Sequence, residues 1–347
     1  MKIEGKSPRQ FGMVCNAGYH VGMIGMALRN LCCTLATGYI LFVFSERLFW
    51  TVWKDGDSLA ELFITWLAYS AIAYLFLATV YWSRADGFWS MFLAGAIYGW
   101  LVEGGLIDTL YGTQPSAPFP VSISITGLSW HALLSVIVGW WATGRALTAA
   151  HPWRLIWISL AVGVFWGVWA MFPRRETPPI ITPVPEFFVN AAVLTLGLMA
   201  SWWLSFRAGM RDFRPGWFGV VLCTFLIGLF YVQYVLRLGT LPLVVLPSLL
   251  GLAATALYRQ RRRSGRPTHV FVGDFRPSRL LILGLIPVTA TFVYAAASAG
   301  GLDKFPISTI VYYFLTGPAG IVLLVLAIIV IFWRTSSNRS LPGHLNA

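Results

Sequence analysis

Apolar residues fall in ten long runs separated by short polar breaks, at 30–53, 59–83, 87–111, 125–147, 154–172, 187–206, 216–236, 238–258, 280–299 and 309–333. A helix of about 20 apolar residues crosses a hydrocarbon core of about 30 Å, and each run reaches or approaches that length. The predicted fold class is therefore all-α: a polytopic integral membrane helical bundle of about ten transmembrane helices. The seventh and eighth runs almost touch, which predicts a tight helical hairpin. Pro242, Pro247, Pro287 and Pro318 lie in the last three runs. Such kinks are tolerated in a membrane where neighbours satisfy the freed carbonyls.

Composition strengthens this picture. The 347 residues are 57% hydrophobic and 11% charged, against about 25% charged in soluble domains. The mean hydropathy is +0.71. A single transmembrane domain over 1–347 is expected, with 1–150 carrying the polar residues of interest and 151–347 adding further helices. No cleavable signal peptide is expected, because the first thirty residues lack a clean apolar stretch followed by a cleavage site. Cys15, Cys32, Cys33 and Cys223 form no CxxC pair and are expected to be small hydrophobes, not a disulfide framework or a zinc site.

The net charge of +12 follows topology, not nucleic-acid binding. No soluble segment is large enough to form a basic reading surface. With the N-terminus placed in the cytoplasm, inside segments hold 18 Lys and Arg and outside segments hold 5, with Arg29 and Arg47 making up the total of 25. That bias predicts an even number of spans with both termini cytoplasmic, in the cell membrane. Arg259-Gln260-Arg261-Arg262-Arg263 is the strongest inside marker. It is a topology anchor or, more specifically, an anionic-lipid contact. Two outside loops, 174–185 and 114–120, are proline-rich. The second joins the third and fourth spans and is either a passive linker or a lid.

Ionisable residues inside spans are expensive, and function is the first hypothesis for them. Three stand out: Glu46, Glu103 and His131. At about 1.5 Å per residue, Glu46 and Glu103 each lie ~24 Å from the cytoplasmic end of their helices, and His131 lies ~9 Å below the outer end. All three fall in the outer third of the core, with Glu61 and Asp108 nearer the outer surface. Two carboxylates beside an imidazole can hold a divalent metal, with Glu103 and His131 as ligands. They can also activate a water as general base and acid, or relay protons. Each has a bland alternative as well. Glu46 precedes Arg47 and fits an interfacial position, His131 fits a packing histidine bonded to a carbonyl, and Glu103 is the hardest to dismiss, with Gly104 and Gly105 beside it. Ser135, four residues after His131, shares its helix face and is placed to orient the ring or to join helices. Tyr98 and Tyr111 flank Glu103 as candidate hydroxyl donors. Most tryptophans are expected in interface belts and packing, with Trp140 and Trp141 filling the bundle.

Gly99-Trp100-Leu101-Val102-Glu103 with Tyr111, then His131 and Gly139 after a loop, resembles the glutamate/histidine intramembrane proteases of the CPBP and PrsW groups. Ser45-Glu46-Arg47 corresponds to that family's earlier glutamate motif, with one Glu where the family has a pair. Position 135 is Ser where the family has an acid or Asn. The resemblance covers residues 46–147. It implies that Glu46, Glu103 and His131 are catalytic: the two glutamates activate a water, and His131 helps bind a metal or stabilises the oxyanion. Expected partners are membrane lipids, a lipid-exposed peptide or lipid-linked substrate, and other membrane proteins. Two further readings stay open. A proton-coupled transporter or channel would use the proline-broken spans, and a non-catalytic subunit or scaffold would use the polar residues as interhelical hydrogen bonds. Bis-histidine haem ligation is excluded, because His131 is the sole histidine inside a span.

Overall fold

A computed structural model describes residues 11–51, 58–115, 117–175, 179–262, 270–301, 310 and 317–337. Among these the chain is helical, with short 3-10 turns and no strand. Each of the ten expected runs contains a helix. These are α1 (Phe11–Phe42), α2 (Leu59–Ser83), α3 (Phe88–Leu101), α4 (Ser122–Thr148), α5 (Trp153–Trp169), α6 (Val184–Arg207), α7 (Trp217–Leu238), α8 (Thr240–Arg261), α9 (Pro277–Ala299) and α10 (Gly317–Ser337). Seven helices are long and apolar enough to cross a membrane, among them Gly25–Trp50, which takes in the second half of α1. The chain is therefore a membrane-embedded helical protein. Large apolar side chains cover the outer faces, with Phe218 and Leu236 on α7 each 81% exposed, as a bilayer solvent permits. Lys2, Lys6, Arg9, Lys54, Arg263, Arg266, Lys304 and Arg339, which the charge count uses, lie outside the described residues.

Boundaries differ from expectation for physical reasons. α1 begins at Phe11, well before residue 30, and its 32 residues span about 48 Å at 1.5 Å each. Helix geometry does not stop at the edge of a hydrocarbon core. α2 starts on a capping box: the Ser58 hydroxyl accepts from the Glu61 backbone N–H, and the Glu61 carboxylate accepts from the Ser58 N–H at 2.9 Å. Glu61 is thus a helix cap. The third run does not continue to 111 as helix. It ends at Leu106, and a break leads to a 3-10 turn at Thr109–Tyr111.

α1 packs on α2 and α6, and α3 packs chiefly on α4, with α8 and α10 against α3 and α10 also against α4. α5 and α9 pair closely and join α6. Small residues set the α3–α4 spacing. A Cβ on Gly99 would lie 2.1 Å from the Gly127 carbonyl oxygen and 2.9 Å from the His131 Cβ, so only bare backbone allows this approach. At the opposite end of α4, the buried Arg279 donates to the carbonyls of Leu147, Ala149 and Ala150, satisfying the last helical acceptors. Cys33 is fully buried and Cys32 and Cys223 are half-buried, all three as free thiols.

Candidate active site

Three helices widen where they meet. Val43–Arg47, Val102–Leu106 and Ile125–Ala142 are π-helical, as shown by the i→i−5 bonds Leu48 N–H to Val43, Ile107 N–H to Val102 and Thr143 N–H to Val138. Glu46, Glu103 and His131 each lie in one of these segments. π turns are rare and often mark functional sites. Hydropathy carries no signal for them, so they could not be foreseen from the sequence.

Widening takes carbonyls off the helical ladder, and in a membrane each must find another donor. Here aromatic residues supply them. The Trp130 indole N–H donates to the carbonyls of Phe44 and Ser45 at 3.0 and 3.1 Å. Trp169 donates to the Phe49 carbonyl at 2.6 Å. Tyr111 donates to the Gly104 carbonyl at 2.7 Å, and Tyr234 to that of Leu106. Helices α5 and α7, from the 151–347 part of the chain, thus brace residues 1–150. Tyr111 is bonded to backbone and does not donate to Glu103 as expected.

Glu103 and His131 are both 3% exposed. His131 Nε2 lies 2.6 Å from Glu103 Oε1, and Thr109 donates to Glu103 Oε2. On the other side of the ring, Nδ1 lies 3.0 Å from Ser45 Oγ. Ser45 Oγ is also 3.0 Å from both Tyr98 Oη and Ser135 Oγ. Ser135 is therefore one step removed from His131, through Ser45. Tyr98 likewise meets Ser45 and not Glu103.

Hydroxyl directions set the proton count. The Trp130 carbonyl can only accept, and Ser135 donates to it at 3.4 Å. Ser135 then accepts the proton of Ser45. With its proton committed, Ser45 accepts from Tyr98 and from His131 Nδ1–H. The remaining Nε2 faces a carboxyl oxygen at 2.6 Å, a contact that needs one proton between the two atoms. One proton therefore lies between Glu103 and His131.

Glu46 is half-buried and accepts from Tyr69 Oη at 2.7 Å. Among the described residues it makes no ion pair. Glu46, Glu103 and His131, expected at one depth, all line one cavity of about 230 Å³. At about 30 Å³ per water this space holds several. Gln114, from the proline-rich 114–120 loop, contributes to the wall, as do Ile107, Thr109 and Thr126. Ser45 and five aromatic residues, Phe49, Trp50, Trp130, Trp169 and Phe172, complete the wall. Sequence reasoning assigned such tryptophans to belts and packing. The clue available was their clustering at the outer ends of three predicted spans. Asp108 pairs with Arg237 at the same end, and Trp140 is buried against Phe76 and Phe271 as expected of a bundle filler.

The metal expectation does not suit this donor set. Among the described residues, no group of three or more His, Cys, Asp or Glu is placed to hold a metal ion. Glu103 and His131, the expected ligand pair, are bonded directly to each other, so a cation would have to displace their shared proton. What the arrangement offers is a buried carboxyl–imidazole pair beside a cavity with room for several waters.

No protein-family model matches this chain, no curated protein is similar to it, and no solved structure matches its fold.

Proposed function

We propose that the protein is a membrane-embedded hydrolase whose water-activating group is the Glu103–His131 pair. The observation that carries this is the 2.6 Å contact between two buried ionisable groups on the wall of a cavity with room for several waters. A membrane protein that needed only helix adhesion could use Ser, Thr or Asn at far lower desolvation cost. Glu103 takes a proton from a cavity water, and the water oxygen bonds to the carbonyl carbon of a substrate ester or amide. The leaving group departs with the proton that Glu103 returns. His131, oriented by Ser45, stays hydrogen-bonded to Glu103 through the cycle. Glu46 is the second carboxylate of the cavity. The resemblance to glutamate/histidine intramembrane proteases supports the same assignment of Glu46, Glu103 and His131. Substrates in this reading enter from the lipid phase, as exposed peptides or lipid-linked acyl groups. In this reading ten spans cross the cell membrane with both termini in the cytoplasm, as the Lys/Arg distribution suggests, and the cavity opens toward the outer leaflet.

The test is turnover of a panel of acyl-ester lipids and single-span peptides by the purified chain in bilayers, with Glu103→Gln and His131→Ala alongside. General acid–base catalysis contributes about 10²–10⁴-fold. Loss of that order in both variants, with the fold retained, is expected. Equal rates in wild type and both variants would overturn the assignment.

A further inference from the structure

A second cavity, of about 260 Å³, lies toward the other end of the bundle, with Trp140 of its wall following His131 along α4. Its charged lining is Arg84, Arg211, Arg214 and Asp212. A guanidinium stays protonated at any ordinary pH. Three cations therefore stand against one carboxylate, and the lining keeps a net positive charge even with Asp212 ionised. Arg29 adds a further cation nearby: a Cβ on Gly209 would meet Arg29 Cδ and Asp212 Oδ2, each at 3.6 Å.

The arginines sit on fixed backbone. Arg84 closes α2 in the left-handed region, at a φ of 55°, where glycine is the usual choice. Arg211 and Arg214 belong to the connection between α6 and α7, and side chains tie that connection down along its length. The Arg211 guanidinium donates to the Gly273 carbonyl. Asn30 donates to the Arg214 carbonyl at 2.6 Å, and the Tyr74 hydroxyl accepts from the Gly216 N–H at 2.8 Å. The rest of the wall is largely apolar, with Leu77, Val80, Trp140, Phe213 and Phe271 all buried. Tyr81, also of the wall, is 45% exposed, so the cavity reaches the outer surface of the bundle.

Guanidinium groups match the oxygens of a phosphate in geometry and charge. A bare inorganic anion would leave the apolar wall unused, and a nucleic-acid strand needs an open basic surface. We propose that this cavity binds a phosphate group carried next to hydrocarbon, with Arg84, Arg211 and Arg214 around the phosphate and the hydrocarbon against Phe213 and Phe271. The Lys/Arg distribution suggests that this end is cytoplasmic, where the leaflet carries anionic lipid. The phosphate arrives on a membrane lipid or on a free phosphate ester. This site is independent of the hydrolase reading.

The experiment is native mass spectrometry of the full chain in detergent micelles, titrated with dioleoyl phosphatidylglycerol, dioleoyl phosphatidylcholine and dioleoylglycerol. Phosphatidylglycerol is expected to bind at least about tenfold more tightly than the other two. Changing Arg84, Arg211 and Arg214 together to Gln should remove most of that preference. Arg214→Gln alone, which leaves the Asn30 bond to the backbone in place, should weaken phosphatidylglycerol binding about fivefold. The same charge change outside the cavity, at Arg259, Arg261 and Arg262, should keep the preference within about twofold. Adding glycerol phosphate identifies the source: displacement of the lipid assigns the site to a free phosphate ester, and lipid binding unmoved by it assigns the site to a lipid headgroup. The proposal is overturned if phosphatidylglycerol and phosphatidylcholine bind wild type equally, if the well-folded cavity variants keep the full preference, or if the Arg259, Arg261 and Arg262 variant loses as much as they do.

Discussion

Breaking the Glu103–His131 pair should cost more from one side than from the other. His131→Ala leaves a 3% exposed carboxyl with only Thr109 as partner and opens a void where the ring stood. Removing one member of a buried ionic pair costs about 3–5 kcal/mol. Glu103→Gln is milder, because an amide N–H can still donate to the imidazole nitrogen, and about 1–2 kcal/mol is expected for the weaker bond. In the double variant no buried charge is stranded, so the cost of His131→Ala falls by about 2 kcal/mol. The assay is reversible unfolding in mixed detergent–SDS micelles for wild type, both single variants and the double variant. Additivity within about 0.5 kcal/mol is what independent sites show. That result would refute the shared proton, and with it the tautomer assigned through Ser45.

Four other outcomes follow from the same geometry. Ser45→Ala removes the acceptor of His131 Nδ1–H, so the ¹⁵N signals of the His131 ring should change tautomer or broaden, and an unchanged spectrum would contradict the hydroxyl chain. Gly99→Ala places a methyl 2.1 Å from the Gly127 carbonyl oxygen; the same unfolding assay should show a loss of about 1–3 kcal/mol, as overpacking does. Arg237→Ala should change stability by less than about 1 kcal/mol, since the arginine side chain is 60% exposed. Elemental analysis of the purified protein should find no stoichiometric divalent ion lost in both Glu103→Gln and His131→Ala.

Hydropathy made the helices legible, because a bilayer imposes length and polarity on every span. The second predicted span coincides with α2. The depth coincidence of Glu46, Glu103 and His131 was also legible, since rise per residue converts sequence offset to height. Azimuth was not. Ser135 and Tyr98 converge on Ser45, which stands between them and the far nitrogen of the His131 ring. The contribution of Trp169, Phe172 and Tyr234 was hidden for a different reason. They come from α5, the turn after it and α7, whose packing on the first four helices depends on tertiary contacts that no local pattern encodes. The third span's early end at Leu106 has a local cause in the glycine pair after Glu103, where a Gly104 Cβ would meet Leu110 at 2.5 Å.

The central claim is that a cavity water, activated by Glu103, is added to a substrate. It is tested most directly by running the membrane-reconstituted protein in H₂¹⁸O and locating the label by mass spectrometry. The account predicts one ¹⁸O in the acid product, none in the released alcohol or amine, and loss of labelled product with Glu103→Gln. Labelled product formed equally by wild type and Glu103→Gln, or none formed by wild type, would contradict it.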